Sequence, residues 1–257
     1  MPELNKANRQ VCDVDIRILK TNAPFLYFET ANTTTAGISS DNVYAMAKGT
    51  RRIAFQNPIE GTMSIEAQVY PFKFFSLFSD GEITSDAAYA VRTTVKATTA
   101  GELPLAVSSG DSIVAGTVFV YPVGSFGDED ALIKGTFASN KFTATTNSEI
   151  AVDTEYEVGF VVNRNSGVKR ITFNNKKIPK DYKIYMNTLN KEEDGTLVPY
   201  LMTAYKATIQ RSFELSFSSD GDPASVTMNF DLLEDNDGNV LDMVEVTEEL
   251  KINPSGD

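Results

Sequence analysis

The sequence predicts a mainly β protein with long β-hairpins, one short buried helix and an inserted small β subdomain. The first sign is a pair of alternating runs near the C-terminal end. Tyr205, Ala207, Ile209, Phe213, Leu215 and Phe217 are followed by Ala224, Val226, Met228, Phe230 and Leu232. Side chains two apart lie on one face of a strand, so each run buries one face and wets the other. A helix would need apolar residues three and four apart. Between the runs, Ser218 to Pro223 carries Asp-Gly and Asp-Pro pairs that favour a turn. Tyr205 to Leu232 therefore reads as one long antiparallel hairpin. The second sign is the crowding of Phe72, Phe74, Phe75, Leu77 and Phe78 between Pro71 and Asp80-Gly81. Proline suits the first turn of a helix, where its missing N–H costs nothing, and this helix must be buried against a sheet. The third is a change of texture from about Thr98 to Asp153, where short β runs sit between Gly, Ser and Asp turns.

Taken in order, Val14, Ile16 and Ile18 alternate within a strand from Val11 to Leu19, and a second strand follows at Phe25 to Phe28. Glu29 to Gly49 is rich in Thr, Ser, Asn and Gly. Connections of this length are usually functional or disordered, so it reads either as an exposed loop that orders against a partner or as a floppy one. Arg51 to Gln56 and Gly61 to Val69 read as a second hairpin around Asn57-Pro58-Ile59-Glu60, with Met63, Ile65, Ala67 and Val69 on one face. Residues 98–153 form the insertion, so residues 1–97 and 154–257 are two parts of one core. Tyr156, Val158, Phe160 and Val162 alternate and re-enter that core. Lys191 to Thr196 is a solvated tip with an Asp-Gly turn, Asp235 to Gly238 is a tight turn before Val240 to Val246, and Asn253 to Asp257 should fray.

Composition narrows function more than it names it. The chain has 257 residues, 42% hydrophobic and 23% charged, with a formal net charge of −12. Duplex DNA carries about one negative charge per 1.7 Å, so proteins that grip it are usually basic; this one should repel it. There is no histidine, which removes Ser-His and Cys-His nucleophile pairs and the commonest metal ligand. The single cysteine, Cys12, excludes an internal disulfide. No apolar run nears the roughly 20 residues of a membrane span, and the N-terminus lacks the apolar core of a secretory signal. Folding in a reducing cytosol, no membrane, no cofactor and no metal are the expectations.

Two candidate sites fall away on inspection. Asp235, Asp237 and Gly238 resemble the start of a calcium loop, but placing Gly238 at its sixth position puts Leu233 first and Val244 last, where acids are required. Glu66, Glu214 and Asp231 could meet on one sheet face as a carboxylate group, yet most such acids are simply solvated.

Three stretches together resemble the bacteriophage major tail proteins, or tail tube proteins. They are Lys48 to Phe55 through Met63 to Ala67 and the helix after Pro71; Ile178-Pro179-Lys180-Asp181-Tyr182 through Asp194-Gly195; and Phe213 to Pro223 with the later Asp237-Gly238-Asn239. The resemblance implies a β-sandwich or half-barrel with a packed α-helix, hexameric rings stacked into a hollow tube, and no enzymatic activity. Such a tube sits in the virion tail, is assembled in the bacterial cytoplasm, and meets other tail proteins such as tape measure, sheath and baseplate. Genomic DNA passes in transit without sticking. The loop at 29–49 matches in position one that family members use between rings and subunits, and 98–153 looks like a variable insertion. Glu66, Glu214, Ser216, Thr227 and Asp231 become candidates for the lumen wall. The alternatives are the tube of a phage-tail-like bacteriocin or contractile injection system, another virion protein such as a decoration or baseplate adaptor protein, and a carbohydrate-active β-sandwich.

Overall fold

A computed structural model describes residues 4–216 and 223–248. The turn expected at 218–222, the end of the run at Phe217 and the C-terminal residues 253–257 lie outside them. The chain divides into two compact units, residues 1–82 with 172–257, and residues 83–171.

In the first unit the chain lays down β1 (Lys6–Asn8), β2 (Asp13–Ile18), β3 (Pro24–Phe28), β4 (Ala31–Ser39), β5 (Asn42–Ala47), β6 (Thr50–Gln56) and β7 (Glu60–Ala67), then a helix at Phe72–Phe78. In the second unit follow β8 (Ala87–Lys96), β9 (Glu102–Pro104), β10 (Ser112–Ile113), β11 (Phe119–Pro122), β12 (Gly135–Ala138), β13 (Lys141–Ala144) and β14 (Glu155–Arg164). The chain then returns to the first unit with β15 (Tyr182–Glu192), β16 (Leu197–Ile209), β17 (Val226–Leu233) and β18 (Leu241–Glu245).

A nine-stranded antiparallel sheet dominates the first unit, in the order β3-β2-β15-β16-β17-β7-β4, with β1 added on β15 and β18 on β16. Its apolar face follows the alternation in the sequence. Val14 and Ile16, Ile184 and Met186, Met63 and Ile65, and Val226, Met228, Phe230 and Leu232 are all buried in one cluster. The helix lies on this face and buries Phe74, Leu77 and Phe78 in the same cluster. It is wound as a 3-10 helix, where the sequence predicted an α-helix. Five apolar side chains in seven residues need more than one side of the helix covered. Phe213 supplies part of the cover, 4.7 Å from the Phe78 ring and 5.6 Å from Phe75.

That use of Phe213 corrects the hairpin predicted from Tyr205 to Leu232. Strands β16 and β17 do pair antiparallel, from Lys206 opposite Leu233 to Ile209 opposite Phe230. Strand β16 ends at Ile209, however, and Phe213 leaves the ladder to cap the helix. Three further expectations change. The Thr-rich stretch at 29–49 is mostly two strands, β4 and β5, and not a loop. Arg51 to Gln56 pairs back onto β5, not forward onto Gly61 to Val69, because Lys48 and Gly49 both adopt positive φ and make the two-residue turn that hairpins favour. Strand β7 pairs instead with β4 and β17. Its first turn is seated closely: a Cβ on Gly61 would come within 2.8 Å of Leu232 and 2.9 Å of Val240.

The second unit has its own core. Tyr156, Val158, Phe160 and Val162 of β14 alternate as predicted, but they pack with Leu103, Val120, Ile133, Phe142 and Ile150, not with the main sheet. Strand β14 pairs along its whole length with β8, so this unit takes in flanking strands on both sides of residues 98–153. Its two ends meet, with the Thr84 and Arg170 backbones exchanging hydrogen bonds of 3.0 and 2.9 Å. Lys177 ties the corresponding ends of the first unit, 2.6 Å from Asp80 and 3.8 Å from Glu82. This contact to Lys177 is the main reason the Asp80 carboxyl titrates below its usual range.

Tyr182 is fully buried beside Phe25, and its hydroxyl has no hydrogen-bond partner among the described residues. Burial, with a smaller contribution from Asp80, pushes its pKa far up. A phenol that resists ionisation when folded costs stability as pH rises above about 10, where the unfolded chain ionises freely. Tyr182→Phe should therefore keep or gain up to about 1 kcal/mol at neutral pH, since it removes an unpaired buried hydroxyl. It should also flatten the alkaline loss of stability. Urea unfolding at pH 7 and pH 11 checks both; a variant clearly weaker at pH 7 would reveal a partner for the hydroxyl.

Candidate functional site

The face of the main sheet opposite the core is hydrophilic. Register places Glu66 of β7 directly opposite Thr227 of β17 and Thr33 of β4. Ser64 faces Asn229 and Thr35, while Thr62 faces Asp231 and Gly37. On the other side of β17, Asp231 stands opposite Thr208 and accepts a hydrogen bond of 2.7 Å from Gln210 Nε2. Four strands thus carry one continuous surface of Thr, Ser and Asn with Glu66 and Asp231 set into it, and Lys206 is its basic member. Cross-strand neighbours on a face lie about 5 Å apart, close enough for these groups to share a water layer.

Of the five residues singled out in the sequence, Glu66, Thr227 and Asp231 share this face. Glu214 and Ser216 do not: both lie in the exposed extended segment after β16, outside any strand. The alternation that seemed to continue through them ends when Phe213 turns to the helix.

Sequence reasoning missed the rest of the same face. A bulge in β16 opposite β15 turns both Tyr205 and Lys206 outward. Lys183 Nζ sits 4.7 Å from the Tyr205 ring centre and 5.5 Å from that of Tyr185. Arg17 stacks over Tyr185 at 5.0 Å and pairs with Asp15 at 2.7 Å. The Tyr205 hydroxyl donates to Asp242 of β18, and this bond is the main reason its pKa rises. Arg17 is likewise held charged, chiefly by its hydrogen bond to Asp15. Cation, ring and carboxylate alternate across β2, β15, β16 and β18, holding long side chains flat on the sheet.

A second feature was hidden in what read as a loop. Among the described residues, strands β5 and β6 pair only with each other and form a separate hairpin over residues 42–56. Val43 faces Phe55 and Ala45 faces Ile53, so these four share one side. Val43, Ile53 and Phe55 are each more than half exposed. The opposite side is clasped by Arg51, stacked 4.2 Å over Tyr44. The Lys48-Gly49 turn pair and the spacing of Val43, Ala45, Ile53 and Phe55 were the available signals.

The described residues hold no group of three acidic, Cys or His side chains placed to bind a metal, and no helix long and apolar enough to cross a membrane. Cys12 is buried, and burial pushes its thiol pKa up, away from the thiolate a nucleophile needs.

No curated protein matches the chain. The YomU/Tube protein family matches residues 9–246, nearly the whole length and both units. The match agrees with the resemblance to tail tube proteins, and on it the chain belongs to the YomU/Tube family, a phage tube-like structural family.

Proposed function

We propose that copies of this chain close into hexameric rings that stack into the tail tube of a phage virion, a conduit for DNA during ejection. The observation that carries this reading is the main sheet itself: one face is filled by core and helix, and the other is a continuous hydrophilic surface. Closed about an axis, that surface becomes the wall of a bore. Glu66 and Asp231 repel phosphates, and screening over about 10 Å at 0.1 M salt confines the repulsion to a narrow channel. The Thr, Ser and Asn around them hold water, and two of the cations on the same face are already engaged, Arg17 with Asp15 and Lys183 with the Tyr205 and Tyr185 rings. Strand β4 ends the sheet with nine residues that carry no charge and no proline. Natural edges are usually blunted by such residues, so an unguarded one suits pairing with a neighbouring copy. The protein's role is structural, its partners are further copies and the other tail proteins, and DNA is a passenger.

Electron microscopy of the purified protein tests this. Hollow filaments or six-fold rings are expected, and monomers at every concentration would overturn it. In the assembled phage, Glu66→Lys, repeated by symmetry in every subunit, should leave tubes intact and slow genome release; unchanged release kinetics would remove Glu66 from the wall.

A further inference from the structure

The bulge in β16 sets two residues, Tyr205 and Lys206, against the single residue Lys183 of β15, between the pairs Tyr182 with Ala207 and Ile184 with Ala204. On its other side Lys183 stands directly opposite Arg17 of β2. Three cations therefore share one row of the hydrophilic face, on a chain whose net charge is −12. Like charges directly opposite one another across strands are destabilising, and bulges often re-aim a side chain beside a functional site. The acids around the row are engaged elsewhere. Asp15 takes Arg17, Asp242 accepts from the Tyr205 hydroxyl, and Asp235 accepts from the Asp237 and Asn239 backbone at 2.9 Å each. Asp231, diagonal to Lys206 across β17, accepts from Gln210. The Tyr205 and Tyr185 rings hold the Lys183 ammonium over the sheet, but a ring face orders a cation without neutralising it. Neither Lys183 nor Lys206 has an ion pair among the described residues.

We propose that Lys183 and Lys206 form a phosphate-contacting pair in the bore wall, a brake on duplex DNA within an otherwise acidic lining. This rests on the tube reading above and divides its wall into two zones. Glu66 and Asp231 push phosphates toward the axis, and the lysine pair draws them back. Repeated by symmetry around a ring, the pair becomes a basic belt, and stacked rings repeat the belt along the bore. The residue types suit a moving ligand. Lysine offers a compact charge on a flexible stem, whereas the planar fork of arginine locks onto a phosphate through two bonds. The one guanidinium in the row, Arg17, is the cation that a carboxylate already holds. Contacts to phosphate carry no sequence information and allow sliding, so such a belt slows every stretch of a genome alike and stops none.

Genome release from purified virions tests it. Lys183→Gln with Lys206→Gln removes both charges, and should speed release severalfold from tails that look normal by electron microscopy. Lys183→Arg with Lys206→Arg keeps the charges and should release at the wild-type rate or more slowly. Raising salt from about 50 to 200 mM weakens phosphate contacts, so it should narrow the gap between the wild type and the glutamine variant. The acidic zone is common to both and drops out of that comparison. Normal tails with an unchanged release rate would overturn the brake while the tube reading stands. Missing or misshapen tails in the glutamine variant overturn it too, because the lysines would then hold subunits together or meet a protein during assembly. A gap that salt leaves untouched rules out contact with phosphate. Antibody labelling that places the protein outside the tail tube of wild-type virions overturns the brake and the tube reading together.

Discussion

Excising residues 42–56 and joining Asp41 to Asn57 should abolish tube formation and leave a folded monomer. The two ends of the cut are already joined by the Asn57 N–H to Asp41 carbonyl bond, so a short turn can replace the hairpin without moving β4 or β7. Nothing in the main core depends on β5 and β6, whose residues are absent from the buried cluster. Thermal unfolding should therefore shift little, and size-exclusion chromatography should show a single monomer peak at every concentration at which the proposed tube predicts filaments of the intact chain. Filaments from the excised chain would mean that the hairpin is dispensable. A collapse of the melting temperature would mean that it supports the fold.

Phe78→Ala should have the opposite profile, with a large loss of stability that then prevents assembly. Phe78 is 1% exposed and contacts both Phe74, at 6.1 Å, and Phe213, at 4.7 Å. Truncating a buried phenylalanine costs about 3–5 kcal/mol, against a total of roughly 5–15 kcal/mol for a typical domain. The loss should be larger than that of Phe72→Ala, whose side chain is 45% exposed on the same helix. Urea midpoints of the two variants compare them directly; equal midpoints would show that the helix does not depend on its buried side.

Side-chain placement within strands was legible because the strand period is two. Val14 and Ile16, Met63 and Ile65, Val226 to Leu232 and Tyr156 to Val162 face as their spacing predicts. Pairing was less legible, since alternation fixes faces but not neighbours. Arg51 to Gln56 could pair backward or forward, and the Lys48-Gly49 turn decided it. Strand β4 was hidden by its composition: an edge strand of Thr, Ala and Gly lacks the apolar alternation that marks a strand paired on both sides. Phe213 fitted the alternating run, but the aromatic helix drew it out of the ladder and took Glu214 and Ser216 from the face with it. Glu66, Thr227 and Asp231 were legible as a group because their strands pair in register.

Lys177 bridging Asp80 and Glu82, together with the backbone exchange between Thr84 and Arg170, has a consequence for how such chains diversify. A module whose two ends already touch can be threaded into a host loop at little entropic cost, because the gap it must span is closed beforehand. The junction is then a socket: chains of one plan can carry, lose or exchange the module while the first unit keeps its own core.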